Sequence, residues 1–584
     1  MESLNKEQLR AVTTTSPKVL VIAGAGAGKT RVLTERIKYL INRGVNPDEI
    51  IAFTFTNRAV KEMIYRLKDY KFENVYTFHK YSFSILSRYK DEIGYVKKKR
   101  INIVDDEYQY VLLEEILNDL NSPYNQRFIK DYISKRKNNI QYKYKNTEEA
   151  GILNNIFYRY QSLLSQREML DFDDMVSMLV NNIDNLKFKD DILNHCKYIL
   201  VDEFQDTNKI QYDLLTKLSS KYHNLFCVGD EDQLVYSFRS SNIEIINNFK
   251  TIADEVIVLN QNYRCATNIL NLANRLISHN TNRLKKELFS EISPKFKIKC
   301  DDYENTNLEA SLIASKIEML INKCGYKPNE IAVLFRNNSG SLKIEYALKK
   351  LNIPFTTYGK QKFFKYDKIK RLIAFYRFLE NPDDYILYRQ AIPIDEAIYQ
   401  YLIPEYKSSN KRFIDFLVES KYEQLKPLAI KVKELISNKS KYDKSRLFDI
   451  ILKLLFNVSY NGEKNYLIEF KDLLVNNELE HEIDIINELM LDDGTFNKNE
   501  MGVNLLTIHK AKGLEFKCVF IISLNDGIIP SNLTDNNLIE EERRLLYVAM
   551  TRAKEYLYLS SAEYHFINGI RKRLRPSIFL CELK

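Results

Sequence analysis

The chain of 584 residues has no tryptophan, no CxxC pair and no long apolar run. Its seven cysteines stand singly at 196, 227, 265, 300, 324, 518 and 581. That scatter argues against a zinc site, an iron–sulfur cluster or a disulfide framework, and for a reducing compartment. No apolar stretch approaches the ~18 residues of a membrane span. The polar start MESLNKEQLR carries no signal peptide, so a cytoplasmic protein is expected. No repeat and no low-complexity linker is evident. The lack of tryptophan accompanies a wealth of Lys, Asn, Ile and Tyr, a compositional bias that lowers the weight of any single lysine run.

Lys+Arg number 87 against 78 Asp+Glu, a net charge of +9. This mild basic excess fits a polyanionic partner without requiring one. The length exceeds what one hydrophobic core organises, so about two to four domains are expected.

Short β-branched runs alternate with helical segments. VLVIAG (19–24), IIAFTF (50–55), YILVDE (198–203), LFCVGD (225–230) and VIVLNQN (256–262) form one set. IAVLFR (331–336), VNLLTIH (503–509), CVFIIS (518–523) and YLYLSS (556–561) form a second. Continuous apolar strands of this kind belong in buried parallel sheets. Two intervals, 86–170 and 380–500, lack such runs and read as helical and lysine-rich. The expectation is two α/β cores, each with a helical insertion: 1–85 with 171–259, interrupted by 86–170, and 260–379 with 501–584, interrupted by 380–500.

AGAGAGKT, residues 23–30, fits the phosphate-loop pattern, with Ala23 where glycine is common. It follows a predicted strand and opens an amphipathic helix, the context the motif requires. Ala23, Gly24, Ala25, Gly26, Ala27 and Gly28 leave backbone amides bare to close around a phosphate, and the helix N-terminus adds partial positive charge. Lys29 would reach the β/γ oxygens and Thr30 would ligate Mg²⁺. A Gly/Ala turn that binds nothing is the bland alternative. No Asn-Lys-x-Asp guanine motif is present. VDEFQDTN (201–208) supplies an acidic pair at a strand end, Asp202 for Mg²⁺ and Glu203 to polarise an attacking water, as a hydrolase needs.

From Leu4 to the C-terminus the motifs then resemble, in order, those of the UvrD/Rep/PcrA-type superfamily 1A DNA helicases. The resemblance implies two RecA-like P-loop cores with helical insertions, ATP and Mg²⁺ as cofactors, and single-stranded DNA and its junctions with duplex as partners. In LNKEQLRAV, Gln8 would read adenine, and Arg31 would be an added phosphate contact. AFTFTNRAVKEM would place Phe55 and Asn57 on the strand, and VYTFHKYSF would place Thr77 and His79 there. VGDEDQLVYSFRS would give Gln233 to the γ-phosphate and Tyr236, Phe238 and Arg239 to DNA; packing in the core is the alternative for the two rings. QNYRCATNIL would stack Tyr263 on adenine and put Arg264 on the γ-phosphate. YGKQKFF (358–364) looks like a further motif. TIHKAKGLEF would set His509 on DNA and Glu515 on the ribose. In EEERRLLYVAMTRAKE, Arg544, ahead of Arg543, would be the arginine finger, or else a structural ion-pair residue.

Phe238 stands where relatives usually have tryptophan, and Ser531 where they often have histidine. AIPIDEAIYQYLIPEY (391–406) lacks the Gly-Ile-Gly turn that meets duplex DNA, in a second insertion that looks shortened. The chain ends where the motor core of the family ends, so no further tail or nuclease domain is expected. The activity implied is 3′–5′ translocation on single-stranded DNA with duplex unwinding. Two alternatives stay open: a translocase subunit that needs a nuclease or repair partner, and a DNA-responsive ATP switch without processive movement. KKKR (97–100) and KDYISKRKNNIQYKYK (130–145) could bind nucleic acid or be solvated helix faces.

Overall fold

The computed structural model describes residues 4–96, 100–235, 243–281, 283–284, 286–337, 340–357, 366–456, 465–476, 479, 481–491, 501–567 and 570–583. The strands are β1 Lys18–Ala23, β2 Ile50–Phe53, β3 Val75–Tyr76, β4 Asn102–Ile103, β5 Met169–Leu170, β6 Tyr198–Val201, β7 Leu225–Gly229, β8 Glu255–Leu259, β9 Lys299–Asn305, β10 Ile331–Phe335, β11 Phe355–Thr357, β12 Val503–Thr507, β13 Phe516–Ile521, β14 Ala553–Ile567 and β15 Ile570–Arg573. The chain divides into two compact units: Met1–Phe78 with Phe188–Gly359 and Thr495–Lys584, and His79–Lys187 with Lys360–Gly494.

The first unit holds two sheets. One is all parallel, in the order β3-β2-β6-β7-β1-β8. Its inner strands are apolar on both faces: β2 and β7 are buried along their whole length, as a sheet covered by helices on both sides requires. The other sheet runs β11-β12-β10-β13-β14-β15, with β9 also paired to β14. It is parallel except for the β14–β15 hairpin. The two parallel-sheet cores are those expected, the second with an added antiparallel edge. The added strand, IRKR, is exposed along its length, so it gives no apolar signal.

Among the described residues, the second unit is helical apart from the small β4–β5 pair. Helices Asp106–Asp119, Gln126–Lys137 and Thr147–Gln166 bury Tyr108, Leu112, Ile133 and Tyr160 in one core with Phe375, Phe378, Tyr388, Phe448 and Ile485 from the later interval. The two helical intervals therefore fold together. Helix Asp367–Glu380, within 260–379, belongs to this unit, with Ile369, Leu372, Phe375 and Phe378 all in the shared core. In the basic stretch 130–145, Tyr132, Ile133 and Lys137 are buried, while residues 143–145 are exposed. The Lys137 ammonium lies 2.6 Å from Asp171 and 2.7 Å from Asp174. Among the described residues, no helix is long and apolar enough to cross a membrane.

Candidate active site

Because every strand of the first sheet is parallel, their C-terminal ends share one edge, the usual ligand edge of an open α/β sheet. The P-loop follows β1, Phe55 and Asn57 follow β2, and Thr77 follows β3. Asp202 and Glu203 follow β6, Gln233 follows β7, and Tyr263 and Arg264 follow β8. Helix Lys29–Asn42 begins at a left-handed Gly28 (φ 85°), and Gly26 is left-handed too (φ 68°). These two glycines turn the loop back over the helix N-terminus.

Lys29, first in that helix, places Nζ 3.7 Å from Glu203 Oε2. Thr30 Oγ1 donates to Asp202 Oδ2 at 3.1 Å. Burial, and then the adjacent Glu203 charge, push the Asp202 carboxyl up to about 7. Burial acts the same way on Glu203, but Lys29 and Lys512 outweigh it and hold that carboxyl below its ordinary value. Glu203 has a left-handed backbone (φ 51°), and its Oε2 accepts from Gln205 Nε2 at 2.5 Å. Two neighbouring carboxylates in one site are thus driven apart in proton affinity, a pattern suited to distinct roles.

Gln8 is buried, with one hydrogen bond at each end of its amide. Its Nε2 donates to Ala27 O at 3.0 Å, and its Oε1 accepts from Asn5 N at 3.2 Å. It ties the start of the first helix to the P-loop. Arg31 lies half-buried in the first turn of the same helix. Asn262 Nδ2 donates to Ala25 O at 2.6 Å, and Tyr263 N donates to Gly26 O at 3.0 Å. The Tyr263 ring is 46% exposed, which leaves a face for stacking, while its hydroxyl meets Asn5 and Gln261.

Residues of the second sheet close the other wall. Arg264 Nε donates to Glu515 Oε2 at 3.0 Å, and Lys554 lies 2.5 Å from Glu515 Oε1. Burial alone would raise the Glu515 carboxyl; Arg264 and Lys554 hold it at about 2. Lys512 Nζ lies 2.6 Å from Asp206 Oδ2 and donates to Gln233 O at 2.7 Å. Arg552, on the residue before β14, is buried and reaches Gln233 Oε1 at 3.5 Å, with Nε on Val548 O and Nη1 on Leu514 O. Burial, then the adjacent Arg264, lower its guanidinium to about 10.

Arg544 and Arg543 sit differently. Arg544, in helix Asn536–Met550, is 3.5 Å from Glu540, with Asp232 and Glu231 as its next charged neighbours. Arg543 pairs with Glu582 at 2.7 Å and donates to Asn280. Of these arginines, Arg552 reaches Gln233 and has Glu203 among its charged neighbours, whereas Arg544 pairs with Glu540. In sequence the adjacent Arg543-Arg544 pair is the more conspicuous. The available signal for Arg552 was its place just ahead of a strand of the second sheet.

Of the DNA-facing expectations, Tyr236, Phe238 and Arg239 lie outside the described residues, as do 358–364 and 97–99. Asn57 opens helix Asn57–Leu67, capped by Thr56. Phe55 is half-buried and Thr77 buried. His509 is in helix Ile508–Ala511. His79 falls in the helical unit, its ring edge-on to Phe172 with centroids 6.3 Å apart.

With this geometry in place, two family models account for nearly the whole chain. Residues 4–254 match the UvrD/REP helicase N-terminal domain, and 257–483 and 460–564 match the UvrD-like helicase C-terminal domain. The chain belongs to the UvrD/REP helicase family. Curated relatives of this UvrD/REP chain include an "ATP-dependent DNA helicase PcrA" of Staphylococcus epidermidis, 34% identical over 637 residues, covering 100% of this chain and 86% of the relative. A protein of the same name from Staphylococcus aureus is 32% identical with the same coverage. A "Probable DNA helicase II homolog" of Mycoplasma capricolum is 32% identical over 664 residues, covering 100% of this chain and 87% of the relative.

The P-loop of this UvrD/REP chain supports a direct test. A Cβ on Gly26 would stand 2.6 Å from Asn262 Nδ2 and 2.8 Å from Arg264 Cβ, on a backbone already left-handed. The left-handed conformation alone costs a non-glycine residue about 1–2 kcal/mol. A relaxed loop must return to its strained form to converge on phosphate. Gly26→Ala is therefore expected to weaken nucleotide binding about tenfold or more in a fluorescent-nucleotide titration. Unchanged affinity would show that the loop does not hold the nucleotide.

Proposed function

We propose that the chain is an ATP-driven DNA motor that moves 3′ to 5′ along single-stranded DNA and separates duplex strands. The observation that supports this most is the meeting of two walls at one P-loop. Lys29, Asp202 and Glu203 come from the first sheet, and Arg552, Lys512 and Glu515 from the second, with Arg264 and Gln233 joining them. A nucleotide between two such walls acts as a removable clamp.

In this reading Gln8, Tyr263 and Glu515 face the base and ribose. Ala23–Thr30 and Arg31 hold the phosphates, and Lys29 neutralises the β/γ oxygens. Mg²⁺ would add further charge on those oxygens. The Thr30 hydroxyl and the Asp202 carboxylate, 3.1 Å apart, are the hard oxygen donors this cation prefers. Glu203 orients the attacking water. Arg264 and Arg552 stabilise charge on the γ-phosphate, and Gln233, hydrogen-bonded to Arg552, reports its presence. Phe55, Asn57, Thr77, His79, Tyr236, Phe238, Arg239 and His509 are the DNA contacts. Ring stacking suits a motor that crosses any sequence, since it is worth roughly 1–3 kcal/mol per base whatever the base. The cytoplasm is the proposed location.

The test is strand separation on duplexes with a 3′ or a 5′ single-stranded tail. ATP-dependent separation of the 3′-tailed duplex alone is expected. Equal separation of both overturns the polarity. If neither separates but streptavidin is displaced from end-labelled single strands, the chain is a translocase that needs a partner, such as a nuclease or repair factor, to unwind. No displacement in either assay leaves a DNA-responsive ATP switch.

A further inference from the structure

The sequence Asp230-Glu231-Asp232 places three carboxylates side by side, and all three are buried. Three like charges within 4.8 Å of one another would force this turn open. A buried lysine answers that charge. The ammonium of Lys286, itself 2% exposed, lies 2.7 Å from Asp230 Oδ1, 2.6 Å from Glu231 Oε1 and 3.0 Å from Asp232 Oδ2. Arg283 forks onto Asp232 through Nε at 2.9 Å and Nη2 at 2.6 Å. Leu284 N donates to Glu231 Oε1 at 3.3 Å.

The same turn carries Gln233. Asp230 Oδ2 accepts from Gln233 Nε2 at 2.6 Å, which fixes the amide with its oxygen toward Arg552. Asp230 N donates to Gln205 Oε1 at 2.8 Å, and Gln205 Nε2 binds Glu203. Hydrogen bonds thus link Glu203, Gln205, Asp230, Gln233 and Arg552 in sequence, from the residue proposed to orient water, through the proposed γ-phosphate sensor Gln233, to the arginine proposed to stabilise γ-phosphate charge. Lys286 holds Asp230, the middle member. Burial works against charge on Asp230, and Lys286 overcomes it and keeps that carboxylate ionised. Two residues on, Leu288 packs over the P-loop so closely that a Cβ on Gly24 would stand 2.3 Å from its Cδ2. The segment 286–289 therefore touches both the phosphate loop and the turn that carries Gln233.

We infer that Lys286 is a positioning residue for ATP hydrolysis, which holds the Asp230–Gln233 turn so that Gln233 and Glu203 act as one unit. The inference rests on the ATP-motor reading above. Sequence alone gave no sign of it, because Lys286 is one of two adjacent lysines in a polar stretch.

The experiment compares wild type, Lys286→Met and Lys286→Met/Glu231→Gln. Each is assayed for DNA-stimulated ATPase, fluorescent-nucleotide affinity and melting temperature. Misplacement by about 1 Å in such a constellation costs up to about 10²-fold. For Lys286→Met, kcat is expected to fall about 10- to 100-fold, with KM for ATP and nucleotide affinity within about threefold. Removing one carboxylate in the double variant should recover part of the lost kcat, at least about fivefold. If Lys286→Met does not fold, the double variant carries the test against wild type, with the same expected split: kcat lowered, KM unchanged. A rise in KM at constant kcat, an unchanged kcat, or a double variant that regains melting temperature but no turnover overturns the inference. Absence of ATPase in the wild type would overturn the motor reading instead, so the two failures are distinguishable.

Discussion

Replacement of Lys29 by alanine is expected to lower DNA-stimulated ATP hydrolysis by about 10³-fold, the loss associated with removing one preorganised donor from a developing anion. The Lys29 side chain is 10% exposed and heads helix Lys29–Asn42, where the backbone amides also point at the phosphate position. Its ammonium lies 3.7 Å from Glu203 Oε2. Truncation leaves two adjacent buried-edge carboxylates facing an incoming polyanion without that charge. Steady-state turnover with saturating single-stranded DNA measures the effect. Wild-type turnover in Lys29→Ala would remove the P-loop from the mechanism, and with it the motor.

The second large effect separates two arginines eight residues apart. Arg552→Ala is expected to lose about 10³- to 10⁵-fold in hydrolysis, the range of an arginine finger, while ATP affinity stays within a few-fold. Arg552→Lys should recover little of that loss, because an ammonium cannot hold Val548 O, Leu514 O and Gln233 together as the guanidinium does. Arg544→Ala should keep turnover within about tenfold and show its main effect on stability, since its partner Glu540 is one turn away on its own helix. Single-turnover hydrolysis with bound DNA reads the chemical step directly. Equal collapse in both alanine variants would contradict the positional argument, and collapse in Arg544→Ala alone would reverse it.

The nine apolar runs in the sequence all became strands, because a strand buried on both faces needs a continuous apolar stretch and little else imitates it at that length. The P-loop and the Asp202-Glu203 pair were readable for a different reason. Their chemistry dictates residue types at fixed offsets from a strand end, so the local sequence carries the information. Strand β9, KCDDYEN, was missed because it is a polar strand on the outer side of β14. The joint core of the helical unit was hidden for another reason. Helix Asp367–Glu380 is apolar around most of its surface, so its pattern says that it is buried but not against what. The positions of Arg552 and Lys286 depend on contacts between segments far apart in the chain, such as Lys286 with Asp230, and no local pattern encodes those.

The helical unit draws its core from residues on either side of Phe188–Gly359. During synthesis the chain emerges at about 5–20 residues per second. The all-parallel sheet has its last strand once β8 is out. Tyr108, Leu112, Ile133 and Tyr160, made before the last three of that sheet's six strands, must wait for Phe375, Tyr388, Phe448 and Ile485. An apolar helical cluster thus lacks much of its core during synthesis at a point where the all-parallel sheet already has all six strands.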